Sequence, residues 1–426
     1  MITKRQQQRK NSEKKHTNFI KKEEIPTITM ENFTFQNETK IIFGKETELL
    51  VGKETTDYLD TEKLGKNILL HYGSGSIKKS GLYDKVIKSL KEANLNVIEL
   101  GGVVPNPRLS LVKEGIKLCR EKEIDFILAV GGGSVIDSAK AISAGVHFDG
   151  DVWQLFETME PIEKGVPIGV ILTIPAAGSE SSWTSVVTNE EKKRKLHFRS
   201  PWIRPKFAIM NPELNFTLPN YQTSCGASDM LAHVMERYFT NTKNVDFTDE
   251  LCEATMRTII RNTPLTLKNP KDYNPRAELM WASTIAHNGL LNTGREGDWS
   301  SHMIEHELSA MYDIAHGAGL AIVFPAWMKY VYKHDIQRFV QFAVKVMGVN
   351  KNIDPNEINL EETALAGISA LEQWFKDIKM PVKLSEININ ESKFEEMSEL
   401  CAKDSTVGCF VKLNKDDVTE IFKLAL

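Results

Sequence analysis

The chain has 426 residues, 41% of them apolar and 26% charged, with a formal net charge of −4 at pH 7. That ordinary globular composition excludes a collagen-like, low-complexity or wholly disordered chain, and the length exceeds what one core usually serves, so two domains are expected. The slight acidic excess argues against a global binder of nucleic acid or anionic membrane, and five scattered cysteines with no C-x-x-C pair fit a reducing cytoplasm better than a disulfide framework.

Residues 1–29 are polar, rich in Lys and Arg, and aperiodic. They read as a disordered basic extension, with Met30 as an alternative start. No apolar stretch follows this basic N-terminus, so no signal peptide is expected. No apolar run approaches the roughly 20 residues that a membrane-spanning helix needs.

Residues 30–214 alternate strand and helix. Asn67–Tyr72, Leu95–Leu100, Ile124–Val130 and Pro167–Ile174 are short apolar runs that predict strands. Leu82–Ala93, Leu109–Glu123 and Ser134–Ala144 carry apolar residues at helical spacing. Such alternation implies βαβ units and a parallel sheet, and continuous apolar strands imply a sheet covered on both faces. Thr39–Phe43 is a candidate edge strand for pairing across a homodimer. Thr184–Val187 and Leu196–Phe198 flank the charged turn NEEKKRK and read as a hairpin. After Asn211-Pro212 the strands stop. Residues 215–426 read as helices at Tyr221–Thr240, Asp246–Arg261, Pro275–Leu291, Ser300–Met311, Ala318–Lys333 and Asp335–Val346, then near Leu360–Lys376, Ser392–Ala402 and Lys415–Ala425.

Three Gly-containing turns close predicted strands. Gly131-Gly132-Gly133-Ser134 ends one strand and opens a helix. Helix N-terminal N–H groups and the positive dipole end hold an anion such as pyrophosphate, with Ser134 as N-cap and Asp137 three positions on. The spacing is not G-x-G-x-x-G. Gly73-Ser74-Gly75-Ser76 precedes Lys78 and Lys79. An NAD site usually places an acidic side chain on the ribose hydroxyl at such a turn, so small neutral residues with nearby lysines favour NADP(H). Pro175–Glu180 is the third turn. Carboxyl ends of parallel strands are where ligands bind in open α/β sheets.

The helical half carries a metal-ligand pattern. Asp229 and His233 share a helical face one turn apart, as do His302 and His306, and His316 follows just before Gly317 and Gly319. One carboxylate with imidazoles from His233, His302 and His316 suits Fe²⁺ or Zn²⁺ and leaves positions open for water or substrate. His71 and His287 have no partner at ligand spacing and read as ordinary histidines. Trp183, Trp299 and Phe198 read as core aromatics rather than pocket walls.

GGGSVIDSAKAI (Gly131–Ile142), GVVPNP (Gly102–Pro107) and GDWSSHMIEHELSAMYDIAHGAGLAI (Gly297–Ile322) resemble group III, iron-containing alcohol dehydrogenases, in the branch of butanol dehydrogenases and NADPH-dependent aldehyde reductases. The resemblance runs from about Met30 to the C-terminus. It implies the dehydroquinate-synthase-like fold: an N-terminal α/β Rossmann-like dinucleotide-binding domain, an all-α metal-binding domain, and a cleft between them. It implies metal ligation by Asp229, His233, His302 and His316. Gly132, Gly133, Ser134 and Asp137 then form the pyrophosphate loop, with Asn106, Thr173, Val186 and Lys195 along the cofactor. Gly73, Ser74, Gly75 and Ser76 lie near the adenosine ribose, where NAD-specific relatives carry Asp, although relatives with similar turns use NADH. His306 matches a histidine near the nicotinamide that does not bind metal, and is the candidate proton relay. The implied reaction moves hydride between NADP(H), with NAD(H) as the alternative, and a small aldehyde or primary alcohol such as butanal or butanol. A same-fold lyase like dehydroquinate synthase, and a glycerol- or lactaldehyde-type polyol dehydrogenase, are the competing readings.

Overall fold

A computed structural model describes residues 29–350, 352, 359–403 and 405–426. The basic extension expected over residues 1–29 therefore lies outside the described residues but for its last. The N-terminal half runs β1 (Lys40–Phe43), α1 (Val51–Glu62), β2 (Asn67–Gly73), α2 (Leu82–Glu92), β3 (Asn96–Val103), α3 (Leu109–Glu121), β4 (Phe126–Gly132), α4 (Gly133–Val146), β5 (Ile168–Ile174), β6 (Thr184–Asn189), β7 (Arg194–Arg199) and β8 (Phe207–Met210). Six strands form one parallel sheet in the order β1-β8-β5-β4-β2-β3, and β6 pairs with β7 as the expected antiparallel ribbon.

The sheet is sandwiched because its strands are apolar on both faces. Every residue of β4 is buried. Leu69, Ile127 and Ala129 pack with Val112 of α3 and Ile136 of α4. Leu70, Leu128 and Val130 pack on the opposite face with Leu59 of α1 and Val86 of α2. Chain direction across the sheet diverges between β2 and β4, so the carboxyl ends of these neighbours frame a crevice.

Beyond Pro212 the chain is helical: α5 (Asn220–Tyr238), α6 (Asp246–Lys268), α7 (Tyr273–His287), α8 (Ser300–Tyr312), α9 (His316–Val331), α10 (Ile336–Gln341), α11 (Leu360–Asp377), α12 (Phe394–Ala402) and α13 (Lys415–Leu424). These helices enclose a core of their own, in which Trp327 and Phe239 lie among Phe324, Phe339 and Phe410. Among the described residues no helix is long and apolar enough to cross a membrane.

Candidate active site

A cavity of about 1140 Å³ opens between the carboxyl ends of the strands and the helical half. All three Gly-containing turns reach its wall, through Gly73, Ser74 and Ser76, through Gly131–Ser134, and through Ala176 and Ala177. Asn106, Asp137, Thr173, Val186, Lys195 and His306 line it as well. Gly75 does not: it sits in a left-handed-side conformation (φ +136) with no atom near its missing Cβ, so it shapes the turn rather than the wall.

The glycines of the β4–α4 turn act through close packing. A Cβ on Gly131 would lie 2.5 Å from Val135, and one on Gly132 would lie 2.8 Å from Ile174. Gly133 has open space, which leaves its backbone bare toward the cavity. The expected N-cap role of Ser134 is not observed. Gly132 occupies that position without a side-chain cap, and Ser134 lies inside the first turn. Asp137 instead accepts from Ser179 Oγ at 2.6 Å and from the Val186 N–H at 3.1 Å, tying α4 to the β5–β6 turn and to the ribbon. Lys140, fully buried, donates to Ser179 and Ser182 Oγ and to the Ser179 and Thr184 carbonyls, which pins the same turn.

Asp229, His233, His302 and His316 come together from three helices. Nε2 of His233 lies 3.3 Å, of His316 3.8 Å and of His302 4.0 Å from Oδ1 of Asp229. Asp229, His233 and His302 have ligand atoms mutually within 4.8 Å, and Glu305, His306 and His316 form a second such trio. The second trio is an outer layer, since Glu305 is already engaged: it accepts from Ser309 Oγ and from His316 Nδ1, with Lys195 Nζ 3.5 Å away. His316 is thus held by Glu305 through Nδ1 while Nε2 faces Asp229.

A divalent cation fits these donors. Asp229 Oδ1 and His302 Nε2 are buried without any hydrogen-bond partner, which is costly unless something electropositive meets them. The tautomers suit a metal too. Glu236 Oε1 accepts a hydrogen bond from His302 Nδ1–H at 2.8 Å, leaving the Nε2 lone pair free. Burial, then the neighbouring His287 and His302, pushes His233 well below its usual value, so its ring is neutral as a ligand must be. Burial raises Asp229, with His316 and His302 pulling the other way. At Glu305 the opposing burial is outweighed by His316 and Lys195, which hold the carboxyl at about 2.

Two sequence matches and the relatives now bear on the same residues. Residues 39–212 match the model of the iron-containing alcohol dehydrogenases, and residues 223–426 match the C-terminal model of that family. The chain belongs to the iron-containing alcohol dehydrogenase family. It is 45% identical over 400 residues to a protein named probable NADH-dependent butanol dehydrogenase 2 of Bacillus subtilis, covering 93% of this chain and 100% of that one. The NADPH-dependent aldehyde reductase YqhD of Escherichia coli is 35% identical, over 85% of this chain and 91% of its own. The crystal structure of NADH-dependent butanol dehydrogenase A of Thermotoga maritima superposes with a TM-score of 0.88 at 42% identity, covering 93% of this chain and 99% of that one. This iron-containing alcohol dehydrogenase is accordingly an oxidoreductase of alcohols and aldehydes, with a metal and a nicotinamide nucleotide as the cofactors the family implies.

Several residues of the dehydrogenase site escape sequence reasoning. Glu236 and Glu305 orient two imidazoles, and each follows a candidate ligand by three residues, a His-x-x-Glu spacing that was there to be read. Trp299 is no core aromatic: it lines the cavity at a left-handed φ of 69 and packs edge-on against His302. Trp183 is exposed at the cavity wall beneath Arg204, not buried. Phe198 is core, as expected. His71 is also a satisfied core histidine, bonded to the Leu100 carbonyl and Ser138 Oγ. His287 is not ordinary. Its ring lies 4.4 Å from that of His233, and it lines the cavity.

Proposed function

We propose that this protein interconverts small aldehydes and primary alcohols, such as butanal and butanol, with a nicotinamide nucleotide across the Gly73–Ser76 and Gly131–Ser134 turns and one divalent cation, Fe²⁺ or Zn²⁺, on Asp229, His233, His302 and His316. The convergence of three imidazole nitrogens on Asp229 Oδ1, inside the cavity that the glycine turns share, carries the reading. When bound, the cation supplies Lewis-acid polarisation of a carbonyl oxygen and the nicotinamide supplies the hydride.

The chain's own residues do the rest. Asp229 contributes the negative charge of the ligand set. Glu236 and Glu305 hold the Nδ1 protons of His302 and His316, so both rings keep Nε2 toward Asp229. Gly133 and Ser134 offer bare backbone N–H groups to a phosphate. Val186, Thr173 and Asn106 wall the cofactor channel. His306, half-buried at the cavity wall, is pushed well below its usual value by desolvation and then by Lys195 and His316, so it is neutral. A neutral imidazole has one donor and one acceptor nitrogen, so it would give its N–H proton to the product oxygen while its other nitrogen takes a proton from solvent water, and the ring stays neutral.

NADP(H) is the preferred nucleotide in this reading, and NAD(H) the accepted alternative. Gly73, Ser74 and Ser76 bring no carboxylate to the turn, although Lys78 stands 3.9 Å from Glu99 and is partly neutralised. The names of the Bacillus and Escherichia relatives are divided between NADH and NADPH. The domain boundary is placed near residue 214, between residues 30–214 and 215–426. A homodimer through the edge strand β1, which among the described residues pairs only with β8, and a cytoplasmic location for a chain with five free cysteines complete the proposal.

Anaerobically purified protein tests this reading through metal analysis and oxidation of NADPH and NADH with butanal. About one metal per chain is expected, with faster turnover per KM for NADPH. His302→Ala is expected to remove metal and activity together. Full metal occupancy without oxidation of either nucleotide across an aldehyde panel overturns the function, and a higher kcat/KM with NADH overturns the nucleotide preference.

A further inference from the structure

Arg237 is locked at the edge of the metal cradle. Its Nε donates to Asn292 Oδ1 at 2.6 Å, its Nη1 donates to the His233 carbonyl, and its guanidinium lies over the Trp299 ring at 4.6 Å. Its remaining nitrogen, Nη2, is 2.7 Å from His287 Nδ1. A guanidinium has donors and no acceptor, so His287 Nδ1 must accept. The proton of the neutral imidazole therefore sits on Nε2. Among the described residues no protein acceptor meets that N–H, and Nε2 is not among the enclosed, unpartnered atoms, so it opens to the cavity that the ring lines.

The position of this donor matters. The His287 ring is 4.4 Å from the ring of His233 and 6.0 Å from that of Trp299. A substrate oxygen held at the His233 side of the cradle would bring the adjoining carbons within reach of His287, because both residues line the same cavity. The ring-to-ring spacing is one that a chain of two or three carbons bridges.

We propose that His287, with its tautomer set by Arg237, is a specificity-determining residue that donates Nε2–H to a second oxygen of the substrate, so that aldehydes bearing a hydroxyl near the carbonyl are favoured over plain alkyl aldehydes. This rests on the reading of the cavity as an aldehyde site. An open N–H beside an alkyl chain must give up its water without replacement, whereas a hydroxyl replaces that water.

Butanal, 2-hydroxybutanal and 3-hydroxybutanal differ by one oxygen and form the test set for the metal-loaded enzyme. Wild type is expected to show a higher kcat/KM for at least one hydroxyaldehyde than for butanal. His287→Leu removes the donor at similar volume, and is expected to lower that ratio about five- to tenfold, the worth of one hydrogen bond. His287→Gln places an amide N–H near the same point and is expected to restore most of the ratio. Calorimetric titration with 1,3-butanediol against 1-butanol, without turnover, is expected to show the same loss of discrimination in the Leu variant. An unchanged ratio in His287→Leu, or equal loss for all three aldehydes and both alcohols, up to complete loss, overturns the proposal. Wild type that turns over no aldehyde overturns instead the function on which it rests.

Discussion

Glu236 serves three donors from one carboxylate. Oε2 accepts from the Trp299 N–H at 2.6 Å, while Oε1 accepts from the His302 N–H at 3.0 Å and from His302 Nδ1 at 2.8 Å. It thus caps the start of α8 from a neighbouring helix and sets the tautomer of a proposed ligand in one act. Glu236→Gln keeps one oxygen and turns the other into a donor that faces an N–H. Metal affinity is expected to fall about 10–100-fold, read by chelator competition. His306→Ala gives the contrasting outcome: metal content near normal, with turnover lowered roughly 10²-fold or more, as for loss of proton transfer. Unchanged metal affinity in the first, or lost metal in the second, reverses the roles assigned. The candidate ligands were legible because Asp229 with His233, and His302 with His306, are pairs at helical spacing. His287 was not, because its partners are on another helix and no local pattern announces a contact between α7 and α5.

The helices that deliver those ligands approach more closely than side chains permit. A Cβ on Gly317 would lie 2.0 Å from the Cys225 carbonyl oxygen. Cys225 is one turn before Asp229 on α5, and Gly317 follows His316 at the start of α9, so this contact sets the distance between the two. Gly317→Ala must push α9 away and carry His316 with it. The expected cost is about 1–3 kcal/mol by overpacking, with metal stoichiometry falling well below that of wild type. Thermal denaturation and metal analysis of the purified variant check both, and retained metal at unchanged Tm refutes the spacing argument. Elements with strong periodicity were readable, as β4 and α5 show. Helix α1 was missed because VGKETTDYLDTE buries only Val51, Gly52, Thr55 and Leu59. Strand β8 was missed because FAIM is four residues between Pro205 and Asn211-Pro212, and only pairing with β1 and β5 makes it a strand. The expected helix Asp335–Val346 is α-helical over Ile336–Gln341 and then widens into a π turn over Phe342–Val346, a change of winding that hydrophobic spacing does not encode.

The two halves of the molecule meet across the cavity through charge as well as shape. Asn106 donates to Asp313 Oδ1 and to the Ile314 carbonyl, both at 3.1 Å, and Arg108 pairs with Asp313 at 2.7 Å, so the loop before His316 is held by the N-terminal half. Glu307 of α8 faces Arg194 of β7 at 3.9 Å, too far for a hydrogen bond, and its Oε2 is buried without a partner. Burial, opposed only by Arg194, raises this carboxyl to about 7. The consequence for stability has a definite sign. Between the usual 4.5 and about 7 the folded chain keeps a proton that the unfolded chain has lost. Stability therefore falls as pH rises through that window, and the penalty is complete above it. Its size is on the order of 2 kcal/mol. Glu307→Gln removes the titration while keeping the shape. Relative to wild type, with both metal-loaded, the variant is expected to melt roughly 2–3 °C higher at pH 8 and within error at pH 4.5, where the wild-type carboxyl is protonated in the fold. The comparison cancels the pH dependence of metal binding, which the two proteins share. A variant that gains as much at pH 4.5 as at pH 8 owes its stability to packing, and the seam between β7 and α8 then carries no titrating strain.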